Sequence, residues 1–426
     1  MAKTTSKDLR GKVIYSMSIR NHTAEGTFAA AEADLDRIKA LGADIVLLLP
    51  VFDADGGLFA IKDGRSLSPE YGTLEDFKHF TEQIRALNMR VIMEIVFNHA
   101  SKDSPLLSSH PDWFYRDERG HTASRTLNKP DVCDFDYENR ELWDYQIGTL
   151  LQWAEYADGF SCNLASIIPL DFWQKARGVL DLEKPGLIWL ADTLESGLII
   201  EHRANGFQAQ SDGEMFQVFD MCLNNQTRST FEAYIKDEIH LSVYTKLLEN
   251  QDAWFPDNYC KLYYLENYFT PRLKALIDDN AALRTWTAFI YCLKGATLIF
   301  EGQEYSYPLE SSITAKDPID WDSGPDLSIL MKNLGRIKKD PIMSKGVFYI
   351  TADDRTNTAT VRYIMGERWL EGSFSLKGQS GLADTFVPDG MYLNLVDYSV
   401  VAVKNGKYGV DKNPVIFCSD YKQQAV

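Results

Sequence analysis

The chain of 426 residues is longer than a single compact core usually supports, and we expect one large domain together with a smaller one. Its net charge of −17 disfavours nucleic acids and anionic membranes as partners and favours a neutral ligand. No apolar run approaches the ~18 residues of a membrane span, which excludes a transmembrane helix.

Short apolar strands alternate with amphipathic helical segments over most of the chain. Helical spacing marks AAAEADLDRIKALG, which ends on a glycine, and TLEDFKHFTEQIRALNM, which opens with a T-x-x-D cap. The strand-like runs are KVIYSMSIR (12–20), DIVLLLPVF (44–52), RVIMEIVF (90–97), GFSCN (159–163), GLIWLAD (186–192), MFQVFDM (215–221), KLYYLEN (261–267) and ATLIFEG (296–302). Eight strands separated by helices are typical of parallel β-α units and predict an α/β protein with a closed (β/α)8 TIM barrel.

Two stretches interrupt this alternation. Residues 99–133 are polar and without periodicity, which predicts a functional loop or a short excursion domain after the third strand. Beyond residue 345, short apolar runs separated by glycine-rich turns predict a C-terminal antiparallel β-domain. We therefore divide the chain into the barrel segments 1–98 and 134–345, the excursion 99–133 and the β-domain 346–426.

The cysteines and the first residues bear on the compartment. The six cysteines form no CxxC pair and lie mostly in apolar strings, which argues against a metal cluster and predicts buried thiols in a reducing compartment. The first residues, MAKTTSKDLRGK, lack the apolar core of a secretory signal. Both observations favour a cytoplasmic protein.

Active residues of such barrels lie at the C-terminal ends of the strands. This rule selects the polar and charged side chains at or just after the predicted strand ends: Glu94, Asn98, His99, Asn163, Asp192, Asn267, Tyr268 and Glu304. We therefore expect the chemistry of the chain among these side chains.

At these strand ends the sequence resembles the α-amylase family, glycoside hydrolase family 13. VIMEIVFNHAS is similar to the family's first region, an apolar strand with D-x-x-x-N-H, and ADGFSCNLASIIP to its second, G-F-R-x-D. LIWLAD resembles the third region and YYLENYFTPR the fourth, L-E-N-H-D-T-P-R, and the fragments keep the family's order over residues 13–321. The resemblance implies a TIM barrel with a C-terminal β-domain and a protein of carbohydrate metabolism whose partner is an α-glucan or maltooligosaccharide.

The resemblance also assigns the family's catalytic positions, and most of them hold another residue. The nucleophilic aspartate of the second region is Asn163 here, and the arginine that orients it is Ser161. The acid/base glutamate of the third region is Asp192. The histidine and aspartate of the fourth region, which hold sugar hydroxyls in the transition state, are Tyr268 and Phe269.

The family's binding positions are retained only in part. The first-region aspartate is Glu94, and Phe59 replaces a tyrosine that stacks on the reacting sugar. His99 matches a histidine that touches the same sugar. Asn98 matches an asparagine that helps to hold a structural calcium, so calcium is possible although no cofactor is required.

These exchanges predict that family-type hydrolysis is negligible. A neutral amide at Asn163 is a weak nucleophile and gives no negative charge to an oxocarbenium-like transition state. Asp192 places its carboxyl group one methylene short, and misplacement of a catalytic group by ~1 Å can cost on the order of 100-fold in rate. Phe269 removes a carboxylate whose hydrogen bonds to the sugar are worth ~1.5–3 kcal/mol each.

Three functions are compatible with the sequence, and the oligomeric state is left open. The first is a catalytically inactive or severely impaired homologue that binds an α-glucan, and the second is a non-catalytic scaffold or interaction protein. The third is an active α-glucosidic-bond hydrolase or transglycosidase with a rearranged site, in which Asp192 is the acid. The base would come from the carboxylates near strand ends, which are Glu94, Glu195, Glu266 and Glu304.

Overall fold

Eight parallel strands form a closed barrel at the centre of the computed structural model, which describes residues 4–125 and 131–423. The barrel strands are β1 (Val13–Met17), β2 (Ile45–Leu48), β3 (Arg90–Val96), β4 (Gly159–Asn163), β5 (Ile188–Ala191), β6 (Met221–Leu223), β7 (Lys261–Tyr263) and β8 (Gly295–Phe300). Each strand pairs with the next along the chain, and β8 pairs with β1 to close the barrel. The predicted TIM barrel is therefore confirmed.

Apolar side chains fill the barrel because alternate residues of each strand point inward. Ile14, Ile92, Leu190 and Leu262 belong to this buried inner set. The outer faces of the strands are buried as well, beneath the helices, which explains the unbroken apolar runs of the sequence. At the C-terminal ends of some strands, the residues that point into the barrel are polar.

Helices surround the barrel and connect its strands. They are α1 (Ile19–His22), α2 (Phe28–Glu32), α3 (Leu35–Ala40), α4 (Leu74–Ala86), α5 (Leu106–Ser109), α6 (Arg140–Ala154), α7 (Leu170–Glu183), α8 (Ser196–Ala204), α9 (Asp212–Met215), α10 (Arg228–Ile235), α11 (Leu241–Trp254), α12 (Leu273–Leu276), α13 (Asn280–Tyr291), α14 (Ser328–Lys338) and α15 (Pro341–Lys345), with 3-10 turns at Lys7–Gly11, Pro111–Trp113, Ala165–Ile167, Asn225–Thr227, Gln303–Tyr305 and Ser419–Tyr421. Helix α4 begins at the predicted cap, where Thr73 and Asp76 form a capping box. Its residues Phe77, Phe80 and Ile84 form one buried stripe that packs toward the barrel.

The sixth strand begins later in the chain than the sequence predicts, and the predicted strand over 215–221 is wrong. A capping box of Ser211 and Glu214 starts helix α9, which extends to Met215. The apolar side chains that follow, among them Phe216 and Phe219, are buried against aromatic rings of the outer helical layer. Helix packing therefore accounts for the apolar pattern, and the strand itself has only three residues.

Two hairpins extend from the ends of β2 and β3. The first, of Phe52–Ala54 and Ile61–Leu67, follows β2 and is absent from the sequence prediction. The second pairs His99–Ser101 with Val132–Asp134 and lies in the predicted excursion. Residues 126–130 of the excursion lie outside the described residues, and the predicted domain boundaries stay a prediction.

A C-terminal domain of antiparallel strands follows α15, as the sequence predicts. Its strands are β9 (Val347–Asp353), β10 (Thr358–Met365), β11 (Arg368–Ser375), β12 (Gly381–Asp384), β13 (Gly390–Leu393), β14 (Val400–Val403), β15 (Lys407–Val410), β16 (Val415–Cys418) and β17 (Lys422–Gln423). They form a sheet in the order β9-β10-β11-β16, a pair β12-β15 and a sheet β14-β13-β17. The hydroxyl of Tyr363 donates to the carbonyl oxygen of Cys292 at 3.0 Å, which ties this domain to the end of α13.

Burial of the cysteine side chains agrees with the sequence. All six are free thiols in the interior, and burial raises the pKa of Cys162, Cys222 and Cys292, which keeps these thiols protonated and unreactive. Across residues 4–125 and 131–423, no helix has both the length and the apolar character needed to cross a bilayer.

Candidate functional site

Polar side chains occupy the C-terminal ends of three neighbouring barrel strands. Glu94 lies near the end of β3, Asn163 ends β4, and Asp192 follows β5 directly. The register places β4 between the other two strands. The three side chains are buried, with 1%, 2% and 7% exposure respectively. Two carboxyl groups and one amide thus meet at a single point inside the barrel end.

The amide of Asn163 joins the two carboxyl groups. Its Nδ2 atom donates to Glu94 Oε1 at 3.1 Å and to Asp192 Oδ2 at 3.3 Å. Both hydrogen bonds come from one nitrogen atom, so the side chain of Asn163 lies between the two carboxyl groups, where the inverting glycosidases hold a water molecule. The amide therefore takes the space in which an inverting reaction would place its water molecule.

Burial keeps protons on this pair. It raises the pKa of Glu94 to about 8, with a further increase from Asp192 and partial decreases from the hydrogen bonds of Tyr268 and Asn163. Burial also raises the pKa of Asp192 to about 7, against a hydrogen bond from Asn225. At neutral pH Glu94 is mostly protonated, because two desolvated carboxylates this close cannot both be charged without a large penalty.

Three aromatic rings cover the carboxyl pair at the end of the barrel. Tyr268 donates its hydroxyl to Glu94 Oε1 at 2.5 Å. Phe59 stacks on Tyr268 with ring centroids 5.0 Å apart, and Phe269 lies 5.0 Å from Phe59 and 4.3 Å from Tyr268. Phe59 is buried, whereas Phe269 is 50% exposed and forms the outer surface of the cluster. Side chains of the protein therefore fill the pocket expected at this barrel end.

Comparisons with known proteins agree with this architecture. The family model "Alpha amylase, catalytic domain" matches residues 13–150, and "Bacterial Alpha amylase C-terminal domain" matches residues 349–417. The crystal structure of an α-amylase from Lactobacillus plantarum has 36% sequence identity and a TM-score of 0.94, and the match covers 97% of this chain and 100% of that chain. The chain belongs to the α-amylase family.

Other members of the α-amylase family are similar at lower identity. The crystal structure of a noncanonic maltogenic α-amylase from Thermotoga neapolitana is 28% identical, with a TM-score of 0.86 and coverage of 98% of this chain and 100% of that chain. Alpha-amylase MalA from Haloarcula japonica is 23% identical over 77% of this chain and 48% of its own length. An intracellular maltogenic amylase from Bacillus subtilis is 23% identical over 72% of this chain and 53% of its own length. The chain thus spans about half the length of these two curated relatives.

The positions that align with the reaction centre of the α-amylase family come together as one cluster. Asn163, at the nucleophile position, lies between Glu94 and the acid/base position Asp192, and Tyr268 covers them. Ser161, at the arginine position, is buried on β4 in register with Glu94. The roles assigned to these positions stay predictions.

His99 is hydrogen-bonded to the backbone of Phe59, one of the three rings that cover the carboxyl pair. Its Nε2 atom lies 3.0 Å from the carbonyl oxygen of Phe59, and its Nδ1 atom lies 3.3 Å from the amide nitrogen of Asn98. The imidazole therefore donates from Nε2 and accepts at Nδ1, which selects one neutral tautomer. Both ring nitrogens face protein groups, and the side chain is only 2% exposed, so a sugar cannot reach it in this arrangement.

Asn225 belongs to the cluster although sequence reasoning missed it. Its Nδ2 atom donates to Asp192 Oδ1 at 2.9 Å and to the carbonyl oxygen of Thr193 at 2.5 Å. Its Oδ1 atom accepts a hydrogen bond of 2.6 Å from the hydroxyl of Tyr264. Asn225 comes just after the end of β6, so a correct placement of that strand is the signal that would have identified it.

The other carboxylates near strand ends have different surroundings. Glu266 accepts a hydrogen bond of 2.9 Å from Arg272, and Glu304 accepts one of 2.5 Å from Arg37. Glu195 occupies the N-cap position of α8. Glu94 on β3 is therefore the one of the four glutamates, Glu94, Glu195, Glu266 and Glu304, that joins the cluster with Asn163 and Asp192 among the described residues.

Asn98, at which the resemblance predicts a calcium ligand, has a carboxylate and an arginine as neighbours. Asn98 directs its amide nitrogen to Asp134 Oδ1 at 3.4 Å, whereas calcium is bound through amide oxygens. The guanidinium of Arg125 lies 3.7 Å from Asp134 Oδ2 and donates to the carbonyl oxygen of Phe135. In the part of the chain that the structure describes, no three His, Cys, Asp or Glu side chains are arranged to hold a metal ion. An arginine cation thus lies beside the carboxylate that neighbours Asn98.

We propose that Arg125 supports the excursion where the family uses calcium, so that stability is independent of this ion. Excess CaCl2 or EDTA should shift the melting temperature by less than ~1 °C, because a ligand stabilises only by binding the folded state. Arg125→Met should lower the free energy of unfolding by ~1–3 kcal/mol, and Arg119→Met, at an exposed arginine of the same segment, by less than ~0.5 kcal/mol. Scanning calorimetry checks each value, and a clear rise of the melting temperature with calcium would contradict the proposal.

Proposed function

We propose that this chain is an α-glucan-binding member of the α-amylase family that does not carry out the family's retaining hydrolysis. The observation that supports this best is the amide of Asn163, which bridges Glu94 and Asp192 where the family has its nucleophile. A retaining reaction needs one carboxylate to attack the anomeric carbon and a second carboxyl group ~5–5.5 Å away as the acid. An amide has no charge to offer the oxocarbenium-like transition state.

The filled pocket supports the same proposal. A sugar in the reaction subsite would have to displace the rings of Phe59 and Tyr268 and break the hydrogen bond from Tyr268 to Glu94. A buried polar group that loses its partner costs ~1–3 kcal/mol. The ligand would have to supply this energy before it gained any contact in the subsite, which disfavours productive binding.

The relatives and the net charge support an α-glucan as the ligand, and the buried thiols support a cytoplasmic location. The relatives described above are named α-amylases or maltogenic amylases, and we infer an α-glucan or maltooligosaccharide as the ligand. A neutral oligosaccharide also suits a chain with a net charge of −17, which repels polyanions. A cytoplasmic location is part of the proposal, supported by six buried free thiols.

The carboxyl pair favours a second candidate, an active hydrolase with a rearranged acid/base site. With a pKa of about 7, Asp192 holds a proton that it can transfer near neutrality, and Glu94 is close enough to be its partner. Against this candidate, Asn163 fills the space between the two groups and Tyr268 covers them. It therefore ranks second.

Hydrolysis and binding can be measured separately. The purified chain should release no more sugar from maltoheptaose or nitrophenyl α-glucosides than its Asp192→Ala variant, with a competent α-amylase as the positive control. Calorimetry with maltoheptaose should show binding. Turnover that Asp192→Ala abolishes would support the second candidate instead, and absence of both turnover and binding heat would favour a scaffold or interaction protein.

A further inference from the structure

We infer that a short maltooligosaccharide binds in a cleft beside the excursion rather than in the filled reaction centre; this inference rests on the proposed glucan binding. The excursion cleft lies between the excursion, the start of α6 and the segment that follows α8. Its volume is about 770 Å³, within the ~300–1,000 Å³ of small-ligand sites. Glu94, Asn163 and Asp192 are not among its lining residues.

An aromatic wall forms one side of the excursion cleft. Tyr115 of the excursion and Phe207 after α8 meet edge to face, with ring centroids 6.2 Å apart. The guanidinium of Arg125 lies 4.6 Å from the Tyr115 ring and 5.9 Å from the Phe207 ring, which helps to hold both rings in place. Both rings are partly exposed. They therefore offer apolar surface to the C–H faces of a sugar.

Charged side chains of both signs line the rest of the cleft. Arg140 and Asp171 lie 3.7 Å apart, and the Arg140 guanidinium lies 3.7 Å from the centre of the Trp143 ring. Asp112 and Arg116 line the excursion side. A charged ligand would meet like charges whatever its sign, whereas sugar hydroxyls can donate to the carboxylates and accept from the guanidinium groups. The lining therefore favours a neutral ligand with many hydroxyl groups.

His202 adds a neutral imidazole, which can both donate and accept a hydrogen bond. It lines the cleft beside Phe207, with ring centroids 5.1 Å apart. Burial and the nearby Arg125 lower the pKa of His202, so its imidazole is neutral at pH 7 and presents one donor and one acceptor nitrogen. Neighbouring hydroxyls of a glucose unit, which also donate and accept, match this pair of atoms.

Calorimetric titration of the full chain with maltotriose tests the excursion cleft. Tyr115→Ala and Phe207→Ala should each weaken the Kd about tenfold or more, because each removes a ring against which the ligand packs. Phe386→Ala is the matched control, since this ring is 92% exposed on the C-terminal domain, and it should leave the Kd unchanged. Phe269→Ala distinguishes the sites, because a weaker Kd in this variant alone would place the ligand at the filled reaction centre and overturn the inference.

Hydrogen exchange of the unmodified chain gives a second reading that does not depend on how the variants fold. Maltotriose should slow exchange in segments 112–116 and 202–208. If the chain binds maltotriose but the cleft variants bind equally well, or exchange slows only in 266–269, the inference is overturned and the proposed function stands. If neither maltotriose nor maltoheptaose binds, the proposed function fails together with it.

Discussion

Replacing Asn163 by aspartate, the family's nucleophile, should lower the free energy of unfolding by roughly 2–4 kcal/mol at neutral pH and should create no hydrolysis. The two side chains are nearly equal in size, but Asn163→Asp removes the amide hydrogens that bind Glu94 and Asp192. A third carboxyl group then faces two others in a buried site, where each added charge is penalised by burial and repulsion. Activity does not return, because Phe59 and Tyr268 still fill the subsite.

Urea unfolding followed by circular dichroism gives the change in stability. The matched control is Asn280→Asp, the same exchange at an exposed position in the first turn of α13, which should change stability by less than ~0.5 kcal/mol. Maltoheptaose hydrolysis is measured on the same samples. Equal stability of Asn163→Asp and the wild type would show that the amide does not hold the carboxyl pair. Turnover by this single variant would show that the aromatic cover yields to substrate.

The barrel can be predicted from the sequence because strands of a parallel sheet are buried on both faces and leave unbroken apolar runs, as in β2 and β8. The same rule fails for β6, since the apolar run at 215–221 packs outside the barrel and the true strand is very short. The error extends to the site. Asn225 becomes a candidate partner of Asp192 only when β6 ends at Leu223.

The residues of the candidate site can be predicted from strand ends, but the closure of the site cannot. Glu94, Asn163 and Asp192 are identified because each comes at or near the end of an apolar strand. Phe59 and Tyr268 are far apart in the chain, and they stack only because the hairpin after β2 and the segment after β7 both fold over the barrel end. No local pattern in the sequence encodes that contact.

The substitutions at the site are physically consistent with one another. An amide at Asn163 needs no compensating cation, which agrees with the uncharged Ser161 at the position where the resemblance predicts the family's arginine. Glu94 is one methylene longer than the aspartate that the resemblance predicts at this position, and its carboxyl group accepts from both Asn163 and Tyr268. A neutral amide between carboxyl groups that keep protons needs no counter-charge in a buried site, whereas a charged carboxylate there would need a cation beside it.

The buried carboxyl pair should make the protein less stable as pH rises from about 4 to about 9, by up to roughly 9 kcal/mol in total. Burial raises the pKa of Glu94 from 4.5 to about 8 and that of Asp192 from 3.8 to about 7. The folded state therefore keeps protons that the unfolded chain has already released, and stability falls as pH rises. The contribution is fully present below the unfolded pKa values and is lost as pH passes the folded ones. His22 adds a later loss in the same direction, because the hydrogen bonds that its ring nitrogens donate to Asp34 and Glu301 outweigh burial and raise its pKa to about 9.

Glu94→Gln should remove much of this loss, because glutamine keeps an oxygen that accepts from Tyr268 and Asn163 but does not ionise. Its gain over the wild type should grow from near zero at about pH 4 to roughly 5 kcal/mol at pH 9, measured by urea unfolding across the range. Glu118→Gln, at an exposed glutamate of the excursion, should follow the wild-type curve, and the loss from His22 is common to all three proteins. Parallel curves for Glu94→Gln and the wild type would mean that Glu94 ionises as it does in the unfolded chain. A carboxylate charged at neutral pH beside Asp192 would then be available as a base, and the rearranged hydrolase would become the stronger of the two candidate functions.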